Sequence, residues 1–305
     1  MRNAFAEELM IQAEVHQELV FLSGDIGNRI FNPFKEKFSK RFYNCGIAEG
    51  NMIGVASGLS MSGLKPVAYT ITPFITARCY EQIKIDVCYN NTPVIVVGVG
   101  AGFSYAQLGA THHSLDDISL LKNLPNMNVF CPGDAKEVKA CLKEALSLDK
   151  PVYIRLGKKN EPVFNDDVPD FKSGTFNQLK TGNDVAFLSC GNILPVAFEC
   201  SETLKEHNIS SEIISTISVK PFDEGYLSEA FKKFKLIISI EEHGVGGFSD
   251  VVLQWMNKNN IPPQKYIPFY AGDKFYSYSG GQKSARELAG LSAENIVPKI
   301  LEMLK

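Results

Sequence analysis

Short apolar runs alternate with longer segments of helical period along the whole chain. The predicted strands, each bounded by turn residues, are Leu19–Ser23, Pro66–Ile71, Pro93–Val99, Met127–Cys131 and Pro151–Arg155. Between them the pattern predicts helices near residues 3–17, 48–62, 74–89 and 134–148. Strands that alternate with helices form a parallel sheet covered on both faces. The pattern therefore predicts a doubly wound α/β fold.

The pattern breaks over residues 158–183, which are rich in Asn, Asp, Lys, Gly and Pro. This composition is typical of an exposed connection between domains. A second α/β series follows, with predicted strands Asp184–Cys190, Ser211–Ile217, Leu236–Glu241 and Tyr266–Tyr270 and helices near 194–206, 223–233, 247–258 and 293–304. We therefore expect two domains, residues 1–157 and 184–305, joined by a linker at 158–183.

Charge and composition exclude several classes of function. Of the 305 residues, 31 are Lys or Arg and 34 are Asp or Glu, a net charge of −3, so neither nucleic-acid nor membrane-surface binding is expected. The acidic N-terminus and the lack of a long apolar run predict no signal peptide and no membrane span, and so a cytoplasmic protein. The seven cysteines form no CxxC pair, which favours free, buried thiols.

Neither a dinucleotide site nor a metal site is indicated by the glycine and histidine motifs. Gly98-Val-Gly100-Ala-Gly102 follows a strand, but the third glycine of the dinucleotide fingerprint is absent. The adjacent His112 and His113 lack the spacing of a metal-ligand pair, so we expect no metal ligands in this chain. They lie in a Gly-, Ser- and Thr-rich loop, where side chains serve function more often than packing.

The segment from Asn44 to Met52 runs from a short strand directly into a helix of small residues. It places Glu49 in the first helical turn, among apolar neighbours. A buried carboxylate needs a partner. An acid at a helix N-terminus is also favoured by the helix dipole alone, so spacing leaves a structural role open.

Several motifs occur in an order that resembles transketolase. They are Gly46-Ile47-Ala48-Glu49, Gly63-Leu64-Lys65-Pro66, Thr72-Pro73-Phe74, Arg78-Cys79-Tyr80-Glu81-Gln82, Thr111-His112, Pro132-Gly133-Asp134, Lys220-Pro221-Phe222-Asp223 and Glu241-Glu242-His243. The chain is similar to the C-terminal half of transketolase, and to the corresponding parts of 1-deoxy-xylulose-5-phosphate synthase and of 2-oxo-acid dehydrogenase β subunits. The resemblance implies a pyrimidine-binding domain followed by a transketolase C-terminal domain.

The resemblance also implies thiamine diphosphate and Mg²⁺ as cofactors. Relatives hold the diphosphate and the metal through a Gly-Asp-Gly motif followed by Asn-Asn. Here Gly24-Asp25 is followed by Ile26, and Asn90-Asn91 lies far along the chain. We therefore expect a partner subunit that carries this motif, an α₂β₂ heterotetramer, and no activity of this chain alone. The C-terminal domain is expected to serve assembly.

Cofactor roles are carried over by the resemblance onto five positions. Glu49 is expected to share a proton with N1′ of the aminopyrimidine, and so to activate the cofactor. Phe74 is expected to stack on that ring, and Arg78 to line its pocket or to form a structural salt bridge. Asp25 matches an acid near the cofactor or stabilises a turn, and Ile47 is expected to add to the apolar surroundings that desolvate Glu49.

The residues expected to contact the substrate lie in the second half of the first domain. His112 is expected to hydrogen-bond the donor's carbonyl or hydroxyl and to move protons. Tyr105 is a further expected contact, and His113 either contacts the substrate or only shapes the loop. Arg155 matches a position used for phosphate. Leu108 stands where transketolases have an aspartate, and Gly100 and Ala101 stand where relatives have a His or Arg. A modified sugar is therefore a plausible substrate.

The expected function is transfer of a two-carbon ketol unit from a ketose to an aldose. Three alternatives stay open: a 2-oxo-acid dehydrogenase β subunit, an enzyme like 1-deoxy-xylulose-5-phosphate synthase, and a non-catalytic scaffold subunit. A scaffold would have no reason to keep Glu49, an aromatic at position 74 and His112 together.

Overall fold

The computed structural model describes residues 1–26, 29–158, 160–277 and 280–305. Within them, two sheets lie between layers of helices. The first sheet has the strand order β10-β5-β6-β4-β3-β1-β2 and the second β12-β11-β8-β9-β7. Neighbouring strands run parallel except β10, which is antiparallel to β5, and β7, which is antiparallel to β9. The predicted α/β class is confirmed.

The first domain contains strands and helices in alternation. Its strands are β1 (Leu19–Ser23), β2 (Phe42–Asn44), β3 (Lys65–Ile71), β4 (Ile95–Val99), β5 (Asn128–Phe130) and β6 (Val152–Leu156). Its helices are α1 (Arg2–Val15), α2 (Asn32–Lys37), α3 (Glu49–Met61), α4 (Thr72–Ile75), α5 (Tyr80–Gln82), α6 (Asp117–Lys122) and α7 (Ala135–Ser147). Asp134 caps α7, because its carboxylate accepts the N–H groups of Lys136 and Glu137.

The second domain repeats this alternation. Its strands are β7 (Asn177–Lys180), β8 (Val185–Cys190), β9 (Ser211–Ser215), β10 (Ser218–Lys220), β11 (Leu236–Glu241) and β12 (Tyr266–Phe269). Its helices are α8 (Leu194–Glu206), α9 (Glu224–Lys233), α10 (Phe248–Lys258), α11 (Gln282–Leu288) and α12 (Ala293–Met303). No helix of the described residues has both the length and the apolar content needed to cross a bilayer.

Apolar side chains fill three layers between these elements. One layer lies on the α1 and α7 side of the first sheet, and another packs α8 and α12 on the second sheet. The third runs from Met52 and Ile53 of α3 without a break into Phe231 and Trp255 of the second domain. The two domains therefore share a core. All seven cysteines are free thiols, and six of them are buried.

Three local features differ from the sequence prediction. The expected helix over 74–89 is divided into α4, α5 and a π-helical stretch, Ile83–Tyr89. The end of the expected linker forms β7, which joins the second sheet. Strand β10, which follows β9 in the second domain, crosses over and pairs with β5 of the first sheet. Strands β7 and β10 have only four and three residues, which is too few for a period-two pattern to be detected in the sequence.

A buried arginine, paired with an aspartate of its own domain, ties the first domain to the second. Arg155 Nε donates to Asp117 Oδ2 at 2.7 Å, and neither side chain is exposed. The same guanidinium donates to the Ser114 carbonyl at 3.0 Å and to the Glu242 carbonyl, at the end of β11, at 2.9 Å. Burial, the largest single effect, would raise the pKa of Asp117, but Arg155, His243 and Tyr153 together hold that pKa below its usual value.

Replacing Asp117 by Asn should lower the free energy of unfolding by about 3–5 kcal/mol, because it leaves Arg155 buried without a counter-ion. Urea denaturation at pH 7 measures the loss. Because the folded pKa of Asp117 is depressed, the stabilisation is present above about pH 4 and is lost as the pH falls through the folded value. Glu229→Gln removes the exposed pair with Lys232 and serves as the control, with a change under about 1 kcal/mol. Equal losses in the two variants would contradict this interpretation.

Candidate active site

Four strands of the first sheet end side by side, and each is followed by a residue expected in the site. Asp25 follows β1, Glu49 follows β2, Phe74 follows β3, and the loop with His112 follows β4. These strands are neighbours in the order β2-β1-β3-β4 and run parallel, so their carboxyl ends meet at one edge. Ligands of open α/β sheets bind at this edge.

Glu49 begins α3, as predicted, and its side chain is only 3% exposed. Its Oε2 atom lies 3.0 Å from Nη1 of Arg78, whose own side chain is 54% exposed. The helix N-terminus also favours the negative charge. The structural salt bridge that the sequence left open for Arg78 is therefore present, with its cation at the surface.

The Phe74 ring joins Glu49, Arg78 and His112 into one cluster. The guanidinium carbon of Arg78 lies 4.4 Å from the centre of the Phe74 ring. The His112 ring meets Phe74 edge-on, with 5.2 Å between ring centres. The guanidinium therefore stacks on an aromatic ring while it donates to a buried carboxylate. We call these four residues the site cluster.

His112 lies on a loop that leaves β4 through residues with unusual backbone angles. Gly100 has φ 98°, and an added Cβ would lie 2.1 Å from the Tyr105 ring. Tyr105 in turn lies edge-on to His112, with 6.1 Å between ring centres. Thr111 Oγ1 is 2.9 Å from Nδ1 of His112. Burial, and then the charge of His113, lower the pKa of His112, so its ring is neutral at physiological pH.

Asp25 and Ile47 lie at the rim of the site cluster. Asp25 has φ 56°, and its Oδ1 accepts a 2.8 Å hydrogen bond from the Asn44 amide. The Asn44 Oδ1 atom accepts the N–H of Gly46 at 2.9 Å, which fixes the turn into α3. Ile47 is 83% exposed, so an apolar contact from it requires a molecule seated on this surface.

Two of the residues expected to contact substrate are buried. Arg155 cannot serve as the expected phosphate contact, because its guanidinium is enclosed by Asp117, Ser114 and Glu242. The resemblance implied a phosphate contact at this position; in the structure the guanidinium instead bonds residues of both domains. His113 is 7% exposed and contacts the Ala106 carbonyl at 3.1 Å through Nε2, which favours its loop-shaping role.

Several polar residues behind the loop were not assigned a role from the sequence. Tyr153 donates to Asp117 at 2.7 Å, and Nε2 of His243 accepts the N–H of Ile118 at 3.2 Å. Glu242 is fully buried and accepts the N–H of Phe103. The available signal was the run Glu241-Glu242-His243 directly after an apolar strand, since charged residues there need partners.

The site cluster suits the pyrimidine half of thiamine diphosphate. A flat heterocycle that donates an N–H to Glu49 and stacks on Phe74 would make the same two contacts that the Arg78 guanidinium makes. The diphosphate half has no matching metal site. Within the described ranges, no three His, Cys, Asp or Glu side chains are grouped to hold an ion.

Comparison with known proteins identifies the family. The family model of the transketolase pyrimidine-binding domain matches residues 1–163, and that of the transketolase C-terminal domain matches residues 174–296. The chain belongs to the transketolase family. Its Glu49, Phe74 and His112 therefore lie in a domain of the type that the sequence motifs predicted.

Three similar proteins show how much of this chain, and how much of each relative, the similarity covers. A subunit of the apulose-4-phosphate transketolase of Actinobacillus succinogenes is 34% identical over 272 residues, covering 89% of this chain and 87% of that protein. 1-Deoxy-D-xylulose-5-phosphate synthase of Clostridium tetani is 30% identical over 274 residues, 90% of this chain but only 44% of the synthase. A solved structure titled split gene transketolase, inactive beta4 tetramer, superposes with a TM-score of 0.88 at 30% identity, covering 99% of this chain and 97% of that chain.

The ring of His112 should titrate below the ordinary histidine value of about 6.5, because its surroundings disfavour the charged form. Replacing His113 by Gln removes the imidazole whose electrostatic effect lowers the pKa of His112 but keeps a donor for the Ala106 carbonyl, so it should raise the pKa of His112. NMR titration of the imidazole protons measures both values. A pKa of His112 that does not move in His113→Gln would show that burial acts alone.

Proposed function

We propose that this chain is the C-terminal subunit of a split, thiamine-diphosphate-dependent transketolase. It would transfer a two-carbon ketol unit from a ketose donor to an aldose acceptor, as a cytoplasmic enzyme. The observation that carries the proposal is the site cluster: a buried carboxylate, an aromatic face beside it and a neutral imidazole against the same ring. A scaffold subunit would need none of these three together.

Each residue of the site cluster has a distinct task in this proposal. When bound, the cofactor would supply the nucleophilic carbon that ketol transfer needs. Glu49 holds a proton at the pyrimidine edge, and Phe74 fixes the plane of that ring. His112, being neutral, can accept a proton from a substrate hydroxyl or donate a hydrogen bond to a carbonyl. Arg78 must leave the Phe74 face before a ring can occupy it.

A partner subunit is part of the proposal because the site cluster supplies only one half of a cofactor site. The diphosphate and Mg²⁺ would be held by an N-terminal subunit with the Gly-Asp-Gly and Asn-Asn motifs, in an α₂β₂ assembly. Two relatives favour this arrangement: one is named as a single subunit of a transketolase, and the other, titled as a tetramer of β chains, is described as inactive.

The substrate is proposed to be a modified sugar or sugar phosphate. The Tyr105 ring occupies the space beside Gly100, where relatives have a His or Arg, so no larger side chain fits there without moving Tyr105. Leu108, in place of an aspartate, is 52% exposed on the same loop. With Arg155 buried, a phosphate group would need other cations, either from this chain or from the partner.

Calorimetry with thiamine diphosphate and Mg²⁺ tests the division of the site between two chains. We expect no binding by this chain alone, and binding by its mixture with the N-terminal subunit, the product expected from a neighbouring reading frame. Tight, metal-dependent binding by this chain alone would contradict the proposal. No binding by the mixture would favour the scaffold subunit.

Replacing Glu49 by Gln should leave the assembly intact and lower turnover by on the order of 10²-fold or more, because the acid–base group at the pyrimidine edge is lost. Coupled assays of ketol transfer from a panel of ketose donors measure turnover, and light scattering measures assembly. Glu81→Gln, an exposed carboxylate on α5, is the matched control and should keep full activity.

The same assay separates the competing reactions. Condensation of pyruvate with an aldose phosphate would indicate the synthase reaction, which the relative from Clostridium tetani makes the second candidate. Acyl transfer to a lipoyl domain would indicate a 2-oxo-acid dehydrogenase. Full turnover by the Glu49→Gln complex would overturn the role of Glu49.

A further inference from the structure

The loop that carries Tyr105 and His112 is bonded to a carboxylate of the second domain. Glu242 follows β11 directly and is fully buried. Its Oε2 atom accepts the backbone N–H of Phe103 at 2.9 Å. This hydrogen bond spans 139 positions of sequence and joins the C-terminal domain to the beginning of the loop.

The loop backbone passes so close to Glu242 that only glycine fits beside it. Gly102 has φ 57°, and an added Cβ would lie 2.2 Å from Oε2 of Glu242. The N–H of Gly102 donates to the Ser114 carbonyl at 3.1 Å, and the N–H of Ser114 donates back at 3.0 Å. The two ends of the loop are therefore clamped together at the point where Glu242 contacts it.

Helix α11 holds the Glu242 carboxylate from the other side. The Gln282 amide donates to both carboxylate oxygens, at 3.1 and 3.0 Å, and Arg286 forms an ion pair with it. Gln282 also lies 3.5 Å from the hydroxyl of Ser104 on the loop. Because every partner of this carboxylate is fixed, its direction toward Phe103 is fixed as well.

A continuous set of contacts leads from Phe103 to His113, the residue next to His112. The Phe103 ring is fully buried and meets the rings of His113 and Tyr276 edge-on, with centre distances of 5.3 and 5.0 Å. His113 in turn contacts the Ala106 carbonyl, next to Tyr105. We therefore expect a displacement of Phe103 to disturb Tyr105 and His112 through these contacts.

We propose that Glu242 is a positioning residue: it holds the loop of residues 100–113 so that His112 lies against Phe74 in the site cluster, with Tyr105 beside it. The inference rests on the proposed function. It assigns the C-terminal domain a part in catalysis, beyond the assembly role expected from the sequence. A buried acid of this kind could instead serve stability alone, and the chain provides the control that separates the two roles.

Glu241 is that control, because it is the adjacent residue and equally buried. Its carboxylate accepts the N–H groups of Phe248 and Ser249, at 2.7 and 2.8 Å, at the beginning of α10. It therefore makes the same kind of bond as Glu242 but makes it within the C-terminal domain. Loss of either carboxylate should lower stability, and only loss of Glu242 should loosen the loop.

The experiment compares Glu242→Ala, Glu242→Gln and Glu241→Ala in the two-subunit complex. Glu242→Ala should lower kcat by on the order of 10²-fold with a smaller change in KM, because a misplaced His112 costs transition-state contacts. Amide hydrogen exchange over residues 100–113 should rise at least roughly tenfold in the same variant. Glu242→Gln should recover much of both values, because its amide oxygen still accepts the Phe103 N–H.

Glu241→Ala should raise exchange around residues 247–252 and keep kcat within about twofold of the native value. If Glu242→Ala does not fold, Gln282→Leu removes two donors to the carboxylate and should raise loop exchange several-fold. Unchanged loop exchange in Glu242→Ala or in Gln282→Leu, or equal effects of Glu241→Ala on the loop and on kcat, would overturn the inference. Hydrogen exchange needs no turnover, so a complex without ketol transfer whose loop still loosens would reject the proposed function and keep the anchoring of the loop.

Discussion

The buried Arg155 guanidinium determines how the two domains meet at the site. Its partners come from three places: Asp117 at the beginning of α6, the Ser114 carbonyl at the end of the loop, and the Glu242 carbonyl at the end of β11. A charge without water must keep such partners, and removing one leaves an uncompensated ion. The loop and the second domain therefore hold one position relative to β6.

The geometry of the site cluster depends on that fixed position. The loop leaves β4 at Val99, is clamped to itself between Gly102 and Ser114, and presents His112 from the intervening turn. Within the turn, short-range hydrogen bonds such as those from the N–H groups of His112 and His113 to the Gly109 carbonyl hold its residues together, so its clamped ends decide where the imidazole lies. The opposite wall, Glu49 and Phe74, rests directly on β2 and β3 and needs no such support. One side of the site belongs to the first sheet, and the other depends on both domains.

How well the sequence predicted each element or residue depends on whether the local pattern of apolar and polar positions determines it. Long apolar strands such as β1 and β11 have the predicted bounds. Glu49, Phe74 and His112, which the resemblance assigned to one site, lie together because the parallel strands before them end at one edge of the sheet. Strands β7 and β10 were missed since three or four residues carry no periodicity and their pairing comes from tertiary contacts. The burial of Arg155 was missed because the sequence of a strand end does not say whether another domain covers it.

The buried carboxylate of Glu49 affects the stability of the chain, and its pairing with Arg78 limits that effect. A carboxylate that is 3% exposed needs a partner in the chain before any cofactor arrives. Arg78 is that partner, and because it is half exposed its pairing contributes little net stability and is given up at low cost. A fully buried cation would instead have to be displaced at a cost of several kcal/mol. The pair therefore compensates the buried charge of Glu49 and could be displaced at low cost by the ring that the proposed function places on Phe74.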